Sequence, residues 1–389
     1  MQASDFEKKF PGKLVPTVLG SKAFLPDRLP PTTYRPSRAV RKLHDQALLC
    51  IGELRAIIPS LPNPELISRP FLRREAVLSS KIEGTHTEIE GLYLFETTKS
   101  DTPASEDSTE ERKDAREVSN YVEALKFGIK QLETIPICNR LLKDMHRILL
   151  ENVHHDRGLY KTPGEFRQIQ AFIGSEEIHS ARYVAPPAES VEDLMKSIEK
   201  YLNEDDDLPT LVGIAMVHYQ FEAIHPFSDG NGRLGRLLII LMLIAKNLLP
   251  EPLLYISAYF ERNKSTYVAN LWQVSRCGAW EEWVTFFLTG VCEEAKDATK
   301  RAKKLLGLRE SYRSQFQTDG CAANLLSLMD HLFEWPVTDV KRAKEFLNMT
   351  HQGASNNILA LEQKGILREV TGNVRNRLWV ARPIVDLMS

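Results

Sequence analysis

The chain has 389 residues, room for two or three domains, and its 26% charged residues balance to a formal net charge of −2, which argues against a strongly basic nucleic-acid protein. Its most apolar run, residues 237–249, falls short of the roughly 20 residues that a membrane helix needs, and residues 1–9 carry no signal-peptide pattern. The five cysteines (Cys50, Cys138, Cys277, Cys292, Cys321) are scattered and never in CxxC spacing, so the expectation is a soluble cytoplasmic protein with reduced thiols, no zinc site and no membrane.

Residues 1–37 are rich in proline (Pro11, Pro16, Pro26, Pro30, Pro31, Pro36) and are expected to run extended over the surface. A helix follows at 37–57, with Leu43, Ala47, Leu48 and Ile51 on one face, and Pro59, Pro62 and Pro64 break it. A second helix at 66–82 stops at Gly84, and Ser79 and Glu83, four apart, share one face of its end. Residues 99–116 are polar and read as an exposed loop running into a helix near Glu110. Helices are expected at 115–131 and 139–150. Strand-like composition at 168–173 and 182–184 surrounds a turn at Gly174 and Ser175, and Pro186-Pro187 ends it. An amphipathic helix at 191–202 precedes another at 208–224. His218 on the latter reads as a packed core histidine, and His154-His155 as a loop pair with no third ligand for zinc.

Between two apolar runs lies His225-Pro226-Phe227-Ser228-Asp229-Gly230-Asn231-Gly232-Arg233-Leu234-Gly235-Arg236. Glycine-rich backbone entering a helix N-terminus makes an anion site, because free N–H groups and the positive end of the dipole point outward. Gly230 and Gly232 let successive amides curl around phosphate oxygens. Arg233 and Arg236, three apart, share a helix face and can clamp one polyphosphate. Asp229 supplies a hard oxygen for Mg²⁺, and His225 a base that works near neutral pH.

These residues resemble the Fic family motif, HPFx(D/E)GNGRxxR, with every fixed position filled. The resemblance implies a mainly helical bundle with a small β-hairpin flap, and an enzyme that moves AMP from ATP to a Tyr, Thr or Ser hydroxyl of a target protein or of itself. It implies His225 as the catalytic base, Asp229 as the metal ligand, and Gly230, Asn231, Gly232, Arg233, Leu234, Gly235 and Arg236 as nucleotide-binding residues. Ser79, Glu83 and Gly84 match the family's inhibitory motif, (S/T)xxxE(G/N), which implies that Glu83 pairs with Arg236 and keeps it from the γ-phosphate. Residues 157–160 and 163–167 look like the segment before the flap, and the flap at about 168–187 would hold a target's backbone by strand-type hydrogen bonds. The segment from Leu253 to Tyr267 is similar to the one that walls the base and ribose, with Arg262 and Tyr267 as candidates. Many relatives carry a second aromatic where this chain has Val268.

Trp280, Trp283, Phe286 and Phe287 are expected to close the core, and residues 295–312 to form a basic connector helix with a solvated face. Helices at 325–332, 340–347 and 351–364, the last capped by Thr350 and stopped by Gly365, precede strands at 365–370 and 377–380. Three helices plus a hairpin resemble the winged helix-turn-helix common at the C-terminus of bacterial Fic proteins. Residues 319–389 hold eight Lys/Arg against eight Asp/Glu. Duplex DNA binding normally needs a basic excess, so docking to protein or forming a homodimer is the favoured use over DNA. The expected domains are 1–98 (helical, with the inhibitory 79–84 motif), 99–292 (catalytic core), 293–318 (connector) and 319–389 (winged helix). Two other readings stay open: a Fic enzyme that uses another nucleotide or removes AMP, and a DNA-binding regulator whose Fic domain senses nucleotide.

Overall fold

The computed structural model describes residues 1, 3–60, 63–98, 109–153, 162–204 and 207–389. The polar loop at 99–108, the histidine pair at 154–155 and the segment 157–160 lie outside the described residues.

The proline-rich start is not a surface strap. It folds into an antiparallel hairpin, β1 (Gly12–Pro16) and β2 (Lys22–Pro26), with Gly12 opposite Pro26 and Pro16 opposite Lys22. Pro16 and Pro26 sit at strand ends, where a missing N–H costs least, and Ala23 and Phe24 are fully buried. Then come α1 (Arg38–Arg55), capped by the Ser37 hydroxyl, and α2 (Glu65–Ile82). Beyond Gly84, at φ +96°, lies a helix with no clear sequence signal, α3 (Ile89–Thr98). The helix expected at 115–131 begins where the loop was expected to run into a helix, as α4 (Glu110–Gln131), capped by Thr109. α5 (Asn139–Leu149) leads to a pair of two-residue strands, β3 (Phe172–Ile173) and β4 (Tyr183–Val184), shorter than expected, with Phe172 opposite Val184.

α6 (Ala188–Leu202), α7 (Thr210–Ile224) and α8 (Asn231–Ala245) come next. α7 and α8 are apolar nearly all round and form the middle of the core, with Leu211, Phe221, Leu234 and Leu237 fully buried. α9 (Ser257–Arg262) and α10 (Lys264–Cys277) lead to α11 (Trp280–Thr318). At 39 residues α11 is about 58 Å long at 1.5 Å per residue. It unites two expected pieces: its first turns bury Trp283, Phe287 and Val291 against the core, and its middle buries Ala295, Ala298, Ala302 and Leu305. The spacing of that second set keeps one face toward α1, so the connector is half buried and the expected boundary at 292/293 falls inside a continuous helix.

The chain ends in α12 (Ala323–Glu334), β5 (Val337–Thr338), α13 (Val340–Leu347), α14 (His351–Gln363), β6 (Arg368–Glu369), β7 (Trp379–Val380) and α15 (Arg382–Val385). Thr350 caps α14 as expected, while β5 and α15 were not foreseen. The antiparallel sheet runs β5–β7–β6. α12 packs on α2, where the Trp335 ring covers the Arg73 guanidinium at 4.4 Å and Arg73 pairs with Glu96 at 2.7 Å. Arg342 donates to the Glu96 and Thr97 carbonyls, and Arg382 pairs with Glu90 at 2.7 Å. Among the described residues no helix is long and apolar enough to cross a membrane.

Trp283 fills the centre of this arrangement, fully buried, with its indole N–H donating to the Ala215 carbonyl at 2.9 Å. Trp283→Ala leaves a large cavity and an unpaired carbonyl, and should cost about 3–5 kcal/mol of stability, read from the midpoint of denaturant unfolding.

Candidate active site

α7 ends at His225, which takes the left-handed conformation (φ 51°, ψ 60°), a backbone few residues other than glycine adopt. Arg167, 1% exposed, holds it there. Its guanidinium donates to the carbonyls of His225 (2.8 Å), Ile224 (3.2 Å), Ile169 (2.9 Å) and Pro186 (2.7 Å), and its own N–H donates to Pro226 O (2.9 Å). One buried cation thus ties the bend after α7 to both sides of the β3–β4 hairpin. Burial pulls the Arg167 pKa down to about 10, still charged at neutral pH.

The loop after His225 is closed from within. The Asn231 side chain accepts from the Phe227 N–H and donates to the Phe227 carbonyl, both at 2.8 Å. The side chain of Asn231, a residue expected to bind nucleotide, is a staple for the loop. His146 of α5 stacks on Phe227 at 3.9 Å between ring centroids. Its Nδ1 accepts from the Gly164 N–H at 2.9 Å, so Nε2 carries the proton and donates to the Asp229 carbonyl at 2.9 Å. Burial depresses its pKa to about 4, which keeps this tautomer intact at neutral pH.

α8 then starts inside the motif, with Gly230 at φ +75° as its N-cap. The anion nest therefore lies at the N-terminus of a 15-residue helix. A Cβ on Gly232 would stand 2.2 Å from Glu83 Oε1. The Glu83 carboxylate therefore lies against the first turn of α8, the place where an anion is favoured. The same Glu83 Oε1 accepts from Arg236 Nη2 at 2.7 Å, and Arg236 also donates to Ser79 Oγ (2.7 Å) and the Ser79 carbonyl (2.9 Å). Arg236 is 1% exposed on its side chain and Glu83 40%. Burial alone would raise the Glu83 pKa; the Arg236 charge and hydrogen bond outweigh it and hold it below the usual carboxylate range.

The two motif arginines do not act as one clamp here. Arg233 turns to α4, pairing with Glu117 at 2.9 Å and with Asp229 at 3.6 Å. Leu234 is fully buried in the core, and Gly235 faces α7, where a Cβ would meet Glu222 Oε1 at 2.3 Å. Neither is among the residues that line the cleft. Arg262 is likewise elsewhere: it pairs with Glu294 at 2.7 Å and Glu293 at 3.6 Å and does not line the cleft. Tyr267 does line it. Its hydroxyl donates to His218 Nε2 at 2.8 Å, while His218 Nδ1 donates to Gly235 O at 3.1 Å. His218 is the packed core histidine that was expected, with burial depressing its pKa to about 3.

The cleft has a volume of about 570 Å³ and brings together Glu83, His225, Gly232, Arg236, Lys264 and Tyr267 beneath the hairpin residues Ile173, Gly174 and Tyr183. Burial, with Arg167 nearby, depresses the His225 pKa to about 4, so its imidazole is a neutral proton acceptor. Glu222 also lines the cleft, its pKa raised to about 7 by burial. Among the described residues no group of three His, Cys, Asp or Glu side chains could hold a metal ion alone. His146, Glu117, Glu222 and Lys264 carry no sequence signal. Arg167 lies in a recognisable segment, but its five backbone bonds are set by the fold.

His146, His218 and His225 have folded-state pKa values below the unfolded value of about 6.5. The unfolded chain then binds more protons as pH falls from about 6.5 towards 4, so these groups lower stability across that window. ¹⁵N-imidazole NMR at pH 5.5 should find all three rings neutral, with His146 protonated on Nε2.

Comparison with known proteins fits this geometry. The model of the Fic/DOC family N-terminal region matches residues 41–130 and that of the Fic/DOC family matches 136–243, together about half of the chain. Protein adenylyltransferase fic-1 of Caenorhabditis elegans is 31% identical over 130 residues, 33% of this chain and 23% of that protein. A probable protein adenylyltransferase of Aquifex aeolicus is 32% identical over 94 residues, 24% of this chain and 27% of that one. The chain thus spans only about a quarter of the length of these curated relatives. A Fic family protein from Desulfovibrio desulfuricans G20 shares the fold at a TM-score of 0.52 and 20% identity, over 90% of this chain and 98% of that one. Fic-1 from C. elegans does so at 0.52 and 20% over 69% of this chain and 74% of that one. On the two matching models, with the motif at the N-terminus of α8, this chain belongs to the Fic/DOC family.

Proposed function

We propose that the chain is a protein adenylyltransferase, transferring AMP from ATP to a hydroxyl of a protein, and that its resting form is inhibited by Glu83. The observation that carries this reading is a neutral His225 in one cleft with an anion nest already filled by a carboxylate of the same chain. A site built for phosphate and blocked by Glu83 is a site with a controlled substrate.

A triphosphate that replaces Glu83 gains the N–H groups at the start of α8 and the Arg236 guanidinium. The target hydroxyl gives its proton to His225, its oxygen attacks the α-phosphorus, and pyrophosphate leaves with the bridging electron pair. The pKa near 4 belongs to the nucleotide-free site; phosphate charge beside the ring favours the imidazolium and brings the base toward its operating range. Asp229 is a partly exposed carboxylate beside the nest, a hard oxygen donor that would hold Mg²⁺. Bound there, the ion would offset phosphate charge. The β3–β4 hairpin above the cleft supports docking of the target as an added strand.

The domains are proposed as expected, with the connector now the second half of α11. Three helices and the β5–β7–β6 sheet support a winged-helix reading of residues 319–389.

Incubation with ATP and mass spectrometry of AMP adducts tests the proposal. Glu83→Gly should raise labelling at least about tenfold, since misorientation of the α-phosphate is what the carboxylate imposes. His225→Ala in that background should lower it by about 10² to 10⁴, the usual contribution of a general base. Labelling undiminished by His225→Ala would remove His225 from the mechanism, and equal labelling with and without Glu83 would remove the inhibition. Parallel runs with GTP, UTP and CTP read the nucleotide preference.

A further inference from the structure

Lys264, the first residue of α10, lines the same cleft as His225 and Arg236. Its ammonium donates to the carbonyl of Ile82, the last residue of α2. That carbonyl belongs to the helix end, where the last four C=O groups have no partner inside the helix and a lysine is a favoured substitute. Beside it Lys81 pairs with Glu261 at 3.0 Å. The end of α2 that carries Glu83 is thus fastened to α9 and α10 as well as to α8.

Glu83 is the residue next to Ile82, and its carboxylate lies on the first turn of α8. An anion that displaces it enters the cleft that Lys264 also lines. Arg233, whose charge already acts on Glu83 at this place, keeps Glu117 and Asp229 as its partners. Lys264 is on an exposed, rotatable stem, and its hold on a neutral carbonyl is weaker than a bond to phosphate. We propose that Lys264 is a phosphate-binding residue of this cleft that in the resting chain caps the Glu83-bearing helix, so that nucleotide and helix compete for one ammonium.

This rests on the nucleotide reading of the cleft, and the test separates the two. Calorimetric titration of the Glu83→Gly chain with ATP and with AMP, which lacks the β- and γ-phosphates, is compared with the same chain carrying Lys264→Ala. ATP affinity should fall about tenfold, the loss of one charge-assisted bond, while AMP affinity stays within about twofold. Lys264→Arg should restore ATP binding. In the chain with Glu83 intact and no nucleotide, Lys264→Ala should speed amide exchange at residues 82–86. Unchanged ATP affinity, or equal losses for ATP and AMP, overturns the phosphate assignment. Unchanged exchange overturns the capping role. Failure of Glu83→Gly to bind ATP at all would overturn this proposal together with the adenylyltransferase reading.

Discussion

Arg236 is a guanidinium buried in the middle of a helical core, and a cation there needs an anionic partner. Its Nε is fixed by Ser79, which leaves Nη2 to find the charge. Glu83 supplies it, from one turn further along α2. The same ion pair therefore does two things. It neutralises a charge that would otherwise be costly to bury, and it fills the head of α8 with a carboxylate. On the proposed function these cannot be separated: whatever displaces Glu83 must itself be anionic, or Arg236 is left uncompensated. A triphosphate meets that condition, and a neutral ligand does not.

The motif was legible because its chemistry is contiguous: twelve residues contain the base, the nest, the carboxylate and both arginines. The period of the apolar residues likewise located α1, α2, α5, α6, α7 and α13 to within a few positions. What spacing alone does not reveal is partners distant in sequence, apart from the Glu83–Arg236 pair that the inhibitory motif implied. Spacing places Arg233 and Arg236 on one face of α8, but α4 and α2 flank that helix on different sides and each supplies its own carboxylate. Leu234 and Gly235 belong to the motif by position and to the core by packing. Arg262 meets Glu294 only because α11 continues past it. The N-terminal prolines suggested an extended strap, yet at strand ends they are compatible with a hairpin that buries Phe24.

His225 owes its position to groups that touch only backbone. Arg167 binds carbonyls on both flanks of the flap and at the end of α7, and His146 binds a carbonyl in the motif loop. Such contacts fix where a chain runs without constraining which side chains it carries. They also join the β3–β4 hairpin to the bend at His225, so the hairpin and the histidine beneath it share one frame. The left-handed backbone at His225 is stable because this frame over-determines it.

α2 is held along its whole length, which limits how Glu83 can leave. Toward its start Arg69 pairs with Glu334, then Trp335, Tyr93 and Glu96 enclose Arg73, and α12 lies along the same surface. In the middle, Glu75 is buried and accepts from Tyr121 and Ser257. Swinging the helix away would expose all of these at once. Gly84 is the soft point: it sits at φ +96° with open space where a side chain would be. Glu83 is also the most exposed member of its pair, at 40%. On the proposed function, release of Glu83 would need only the last turn around Glu83 and Gly84 to unwind while the rest of α2 stays as a strut. The C-terminal unit packs on that strut through α12, Trp335 and Glu334.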